Sequence, residues 1–241
     1  MSNPNSPSKI GHLSLCVVIA SLISVTSLLG TRATGEPLQN RDDGLSNGTV
    51  VTPKDTPVAQ LFDGKSLEGW EGDLELWKVV DGCIVGDSPG IKHNQFLATR
   101  QTFSNFELKL EFRLKDGKGN TGVQFRSKRV PDSTEVSGYQ ADIGEKYWGC
   151  LYDESRRNKV LVQAADELEP ALKKEGWNTY TIRAAGDHIT LAINGVTSVD
   201  YVEKDKDIAR EGIIALQVHS GPPLKVEFRN IRIRELPEDA K

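Results

Sequence analysis

The chain has 241 residues, with 30 Lys and Arg against 34 Asp and Glu and a formal net charge of −4 at pH 7. The two signs are interspersed, without a basic patch or arginine-rich arm, which argues against nucleic acid as a partner. The three cysteines form no CxxC motif and no Cys/His cluster, which argues against a structural zinc site.

Residues 1–12 are polar apart from a few positions and include Lys9. An apolar run from Leu13 to Leu29 follows, then Gly30, Thr31, Arg32 and Ala33. This order describes a secretory signal, although at about 17 residues the run also reaches the lower limit for a spanning helix. Residues 1–33 are therefore read as a signal peptide or an N-terminal anchor. The protein is expected to be exported, to the periplasm or the extracellular space, with no other membrane contact. Cys16 lies early in the apolar run after Leu15, not behind it after a small residue, so lipid attachment is not expected. Residues 34–58 are rich in Gly, Pro, Asn, Asp and Thr and bury too little to offset their ordering entropy, as in a flexible leader. Residues 59–236 then form one domain, at roughly 180 residues large enough for a proper core, and 237–241 are a tail. Nothing in the sequence specifies an oligomeric state.

Within the domain, period-two patterns dominate. Asp81-Gly82 between WKVV and CIVG predicts a tight hairpin, and Asn194-Gly195 between HITLAI and VTSVDY predicts another. Phe106 to Lys115 alternates apolar and charged residues throughout, a strand with one face in the core and one in water. Residues 178–184, 212–219 and 224–234 read as further strands, the last slipping near Asn230. Helix signals are confined to a turn or two within Asp166–Lys174, interrupted by Pro170. Many short strands with Gly and Asp turns predict an all-β fold, a two-sheet antiparallel sandwich. Cys83 and Cys150 lie in strand-like surroundings, where buried free thiols are expected over a disulfide.

Three segments carry the chemistry: Gln124-Phe125-Arg126, Gln140-Ala141-Asp142 and Gln217-Val218-His219. Side chains two apart on a strand share a face. Each pair of polar residues should therefore point together, with Val123, Phe125, Tyr139, Ala141, Ile143, Leu216 and Val218 on the opposite side. If the strands share a sheet, amides, a guanidinium, a carboxylate and an imidazole form one concave face suited to sugar hydroxyls. His219 ends its strand beside Ser220-Gly221-Pro222-Pro223, placed either as a general base or ligand or as a structural histidine bonded to a backbone carbonyl. Asp142 can take a sugar hydroxyl, a metal or a proton, or pair with Arg126. His93 and His188 are less constrained and less suited to chemistry. The run from Tyr147 to Arg157 mixes aromatic, acidic and basic side chains and reads as a second pocket wall, because Tyr147, Trp148 and Tyr152 are costly to leave in water. Trp70, Trp77 and Trp177 read as packing. No nucleophile elbow, phosphate loop, HExxH or paired-carboxylate glycosidase strand is present.

The segments LFDGKSLEGW, GYQADIG, WGCLYDESRR, WNTYTIRAAGDHITLAINGVTSVDY and GIIALQVHSGPPLKVEFRNIRIREL together resemble the 3-keto-disaccharide hydrolase domain family, in particular exported versions from planctomycete-type bacteria. The resemblance implies a concanavalin A-like jelly roll acting on an oligosaccharide or glycoside oxidised at C3. The 3-keto group acidifies the C2 proton, so the glycosidic bond breaks by proton abstraction and elimination followed by hydration. That chemistry needs a base, an acid for the leaving group and something to hold the enediolate, often a metal ion. On this reading His219 or Asp142 is the base and Tyr152 or Glu154 assists the leaving group. Gln124, Arg126, Gln140 and Gln217 hold the sugar, with Tyr147, Trp148, Arg156 and Glu203 as further substrate contacts. The cofactor is unspecified; a divalent metal would fall to Asp142 and His219. A non-catalytic, lectin-like binding domain is the alternative.

Overall fold

The computed structural model describes residues 56–240; the signal or anchor (1–33) and nearly all of the leader lie outside the described residues. The strands, in chain order, are β1 (Val58–Gln60), β2 (Trp70–Glu71), β3 (Trp77–Val80), β4 (Cys83–Ser88), β5 (Gln95–Phe103), β6 (Phe106–Leu114), β7 (Asn120–Arg129) and β8 (Val136–Gly144). They continue as β9 (Leu151–Glu154), β10 (Lys159–Val162), β11 (Asn178–Ala185), β12 (His188–Ile193), β13 (Val196–Val202), β14 (Gly212–Val218) and β15 (Leu224–Glu235). Two antiparallel sheets result. One runs β13-β12-β11-β6-β15-β4-β3 with β1 also on β15, and the other runs β10-β9-β8-β7-β14-β5-β2. β1 takes in Val58, the last residue assigned to the leader, because its backbone pairs with Arg234.

The alternation in β6 does what its pattern predicts. Phe106, Leu108, Leu110, Phe112 and Leu114 are buried, each contributing roughly 1.5–3 kcal/mol of transfer free energy. The charges between them face outward into cross-strand pairs, such as Arg229 with Glu111 at 2.8 Å. Val123, Phe125, Tyr139, Ala141, Ile143, Leu151, Leu216 and Val218 supply the facing layer from the second sheet. Asp81-Gly82 (φ 49° and 74°) and Asn194-Gly195 (φ 53° and 83°) make the expected hairpins with both turn residues at positive φ. The slip near Asn230 is a bulge: φ is 53° there, and the register on β6 shifts between Arg229 and Arg232. Trp70 and Trp77 are buried, and Trp177 has the Arg229 guanidinium 3.9 Å above its ring. Cys83 and Cys150 are buried free thiols. Among the described residues no helix is long and apolar enough to cross a membrane.

Candidate active site

β8, β7 and β14 lie side by side in the second sheet, and their register sets the outward-facing rows. Gln124 stands opposite Gln140 and Gly122 opposite Asp142, while Leu216 opposite Val123 brings Gln217 next to Gly122. Gly122 is required here because a Cβ would come within 2.7 Å of the Gln140 side chain, which lies across it. The amides then form a directional chain. Ser127 Oγ donates to Gln124 Oε1 at 2.9 Å, Gln124 Nε2 to Gln140 Oε1 at 2.6 Å, and Gln140 Nε2 to Asp142 Oδ1 at 2.7 Å. Asp142 is 2% exposed. Burial drives its carboxyl well above the ordinary range, Glu154 nearby adds to this, and the Gln140 bond does not offset them. Burial thus favours the protonated form of Asp142, in which Oδ1 is bound by the Gln140 amide and Oδ2 can donate.

One strand further, Tyr152 stands opposite Gln140 and Glu154 opposite Gly138. Burial, and then the negative charge of Glu135, push Glu154 up to about 7. Tyr152 is raised by burial and then by Glu154, and its hydroxyl lies 3.3 Å from Asn158 Oδ1. From the other side, His219 Nδ1 lies 2.6 Å from the Ser220 carbonyl. A carbonyl only accepts, so Nδ1 carries the proton and Nε2 is the nitrogen able to take one. The backbone-carbonyl bond expected of a structural histidine is therefore present, and it leaves Nε2 as the nitrogen a general base would use. Gln140, Asp142, Tyr147, Tyr152, Glu154 and His219 share one open pocket of about 420 Å³, within the range of small-molecule sites.

Several expected site residues lie elsewhere. Arg126 sits in a bulge with φ 46°, where the pairing of β7 with β8 shifts between Phe125 and Lys128. The bulge turns its guanidinium away from Gln124, onto the carbonyls of Ser104 at 2.9 Å and Gly186 at 2.7 Å and onto Asn105 Oδ1 at 3.0 Å. Burial lowers its pKa to about 10, with Arg210 adding to this. Arg126 clamps the β5–β6 connection between the sheets to the β11–β12 turn of the opposite sheet. We expect Arg126→Met to cost about 2 kcal/mol through the carbonyls it leaves unpaired, lowering Tm by about 4–8 °C while leaving sugar affinity unchanged. Scanning calorimetry and ligand titration check this, and a loss of affinity without a loss of Tm would return Arg126 to the site.

Trp148 is 8% exposed and packs 6.2 Å from Phe112 in the core, since the turn after Gly144 buries its ring. Arg156 lies 4.5 Å over the Tyr139 ring and donates to Asp153 at 2.9 Å. Glu203 accepts from Tyr139 and Arg157, each at 2.7 Å, and from Tyr201 at 3.1 Å. Arg156 and Glu203 thus belong to a buried ion-pair network and do not line the pocket. Gln124 and Gln217 keep the predicted face but have no exposed surface, so they support the pocket floor without reaching a sugar. His93 is exposed, and His188 pairs with Asp200 at 2.7 Å. Among the described residues no three His, Cys, Asp or Glu side chains gather to hold a metal ion. Asp142 and His219 line the same pocket without a third such ligand beside them, and no step of the chemistry is routed through a metal.

Sequence reasoning missed Asn120, Lys146 and Ser220, which also line the pocket. Asn120 was within reach, being two and four residues before Gly122 and Gln124 on the same strand face. Lys146 and Ser220 sit in loops that carry no periodic signal.

Residues 57–234 match the model of the 3-keto-alpha-glucoside-1,2-lyase-like domain. The chain belongs to this family. Membership places the lyase-like domain among carbohydrate-active proteins and agrees with the segments read from the sequence. No curated protein matches the chain in sequence. Among solved structures, a protein of Parabacteroides distasonis ATCC 8503, provisionally described as a glycosyl hydrolase, is 20% identical with a TM-score of 0.59 over 78% of this chain and 99% of its own. A second from the same organism, described in the same way, is 24% identical with a TM-score of 0.56, covering 75% of this chain and 100% of its own. The carbohydrate-binding module CBM66 of Bacillus subtilis is 18% identical with a TM-score of 0.55, over 69% and 96%. At these identities the lyase-like domain shares their sandwich fold, a glucanase-type jelly roll.

Proposed function

We propose that this exported domain cleaves glycosides oxidised at C3, by removing the C2 proton and eliminating the C1 substituent. The observation that carries the reading is the meeting of three groups in one pocket. These are an imidazole with Nε2 able to accept, a buried carboxyl at Asp142 whose protonated form burial favours, and a carboxyl at Glu154 raised to about 7. The 3-keto group makes the C2 proton acidic, and His219 Nε2 takes it. The electron pair moves into the C2–C3 bond and charge gathers on the C3 oxygen. There the Asp142 hydroxyl donates a hydrogen bond that strengthens as charge develops, the role a neutral buried carboxylic acid suits. The enolate then re-forms the C3 carbonyl and a C1–C2 double bond, expelling the C1 oxygen. Protonated Glu154 supplies the leaving group with its proton, beside Tyr152. Products are the unsaturated 3-keto sugar and the free alcohol, and addition of water at C1 completes net hydrolysis. Tyr147 and Tyr152 offer ring surfaces to the sugar.

The test is incubation with a 3-keto-glucoside and, separately, with its unoxidised parent. Turnover of the first alone is expected, declining as pH rises through about 7, because ionised Glu154 has no proton to give. Binding without turnover would make the domain a sugar-binding module, and equal cleavage of both would make it an ordinary glycosidase.

A further inference from the structure

We propose that Asn94 is a positioning residue for His219, holding the histidine's backbone so that the imidazole keeps its proton on Nδ1 and leaves Nε2 basic. The proposal rests on the function proposed above, with His219 as base. Asn94 lies between β4 and β5 and is 9% exposed. Its Oδ1 accepts from the Ser220 amide at 2.9 Å, and its Nδ2 donates to Glu135 Oε2 at 3.3 Å. Glu135 closes the loop between β7 and β8. The Ser220 carbonyl is in turn the acceptor for His219 Nδ1. A second brace reinforces the first, because Ile91 and Gly221 exchange backbone bonds at 2.8 and 3.2 Å.

The orientation of the Asn94 amide is set by its neighbours. A backbone N–H only donates and a carboxylate only accepts, so the oxygen faces Ser220 and the nitrogen faces Glu135. An amide is the side chain that offers one of each on a planar group. Aspartate keeps the acceptor for Ser220 but turns a second carboxylate toward Glu135, and leucine keeps the volume with neither function. Through this link the loop bearing His219 is tied to the β7–β8 hairpin, whose Glu135 also raises the Glu154 carboxyl. The Ser220 carbonyl is the partner that sets tautomer and ring orientation, and Asn94 acts one link behind it by fixing Ser220.

The test uses nitrogen-15 spectra of the histidine rings together with steady-state kinetics on a 3-keto-glucoside. In the unaltered protein His219 should show the Nδ1–H tautomer alone. Asn94→Ala should give a tautomer mixture and lower kcat about tenfold with KM within twofold, while Asn94→Asp should keep the tautomer and most of the turnover. Should the alanine variant fail to fold, Asn94→Leu takes its place. A pure Nδ1–H tautomer with undiminished kcat in Asn94→Ala or Asn94→Leu would overturn the proposal, as would Asn94→Asp losing the tautomer to the same extent. If the unaltered protein turns over no 3-keto-glucoside, the functional reading fails, while the ring spectra still decide whether Asn94 positions His219.

Discussion

His219→Gln is expected to lower turnover of a 3-keto-glucoside about a hundredfold or more, with sugar binding changed only a few-fold. A factor of a hundred corresponds to about 2.7 kcal/mol of transition-state stabilisation, which is what loss of a general base removes. Glutamine is close to histidine in volume and polarity, so the pocket wall survives, but its side chain cannot take a proton from carbon. Single-turnover kinetics and ligand titration on the same variant separate the two effects. Asp142→Asn provides a contrast within the same experiment. In the mechanism proposed above, protonated Asp142 acts by donating a hydrogen bond, and the asparagine amide can donate to the same oxygen, so its loss should be nearer tenfold. If Asp142→Asn proves as damaging as a lost base while His219→Gln is silent, the proton goes to Asp142. If His219, Asp142 and Glu154 can each be replaced without effect, the pocket is a sugar-binding surface.

The sandwich was legible because its strands alternate cleanly. In β6 every second residue is apolar, and in β8 Gln140 and Asp142 lie on an unbroken strand, so counting by two placed both correctly. The same count failed at Arg126, because a bulge after Phe125 inserts a residue and reverses the face of the residues beyond it. Counting assumes an intact register, and only the pairing with β8 shows the break. Trp148 and Glu203 failed for a different reason. An aromatic beside a glycine, or a glutamate after a strand, reads the same whether it meets solvent or core, and only contacts with Phe112 or Tyr139 from distant segments decide it. Asn94 and Glu135 left no trace in any periodic pattern. They are single polar residues in loops, and their role exists only because two loops far apart in sequence meet beside Ser220.

Glu203→Ala is expected to destabilise the domain by about 3–5 kcal/mol at neutral pH, the usual result of removing one partner from a buried ion pair. Glu203 is 4% exposed and gathers the Tyr139 and Tyr201 hydroxyls, the Arg157 guanidinium and the Asp205 amide. Alanine strands the Tyr139 hydroxyl inside the sandwich and leaves Arg157 with Asp153 as its carboxylate partner. In urea the midpoint should fall with an unchanged m value, and Tm should drop by roughly 10 °C or more. The pH dependence separates the charge from the packing. Burial pushes the Glu203 carboxyl up, but the bonds from Arg157, Tyr139 and the Asp205 amide outweigh it and hold the group at about 2. A depressed carboxylate contributes its stability above the unfolded value of about 4.3 and loses it as pH falls toward the folded one. The gap between the unaltered protein and Glu203→Ala should therefore be full at pH 7 and narrow as melts are repeated from about pH 4 down to about pH 2. A gap below 1 kcal/mol at pH 7 would place these charges with ordinary surface pairs. A gap that ignores pH would assign the loss to the stranded hydroxyl and lost packing instead of the ion pair. The same network holds the segment after Glu154, since Arg156 and Arg157 both reach back to Asp153. A destabilised Glu203→Ala variant should for that reason also lose turnover at temperatures well below its melt, as the hairpin carrying Tyr152 and Glu154 loosens before the sandwich unfolds.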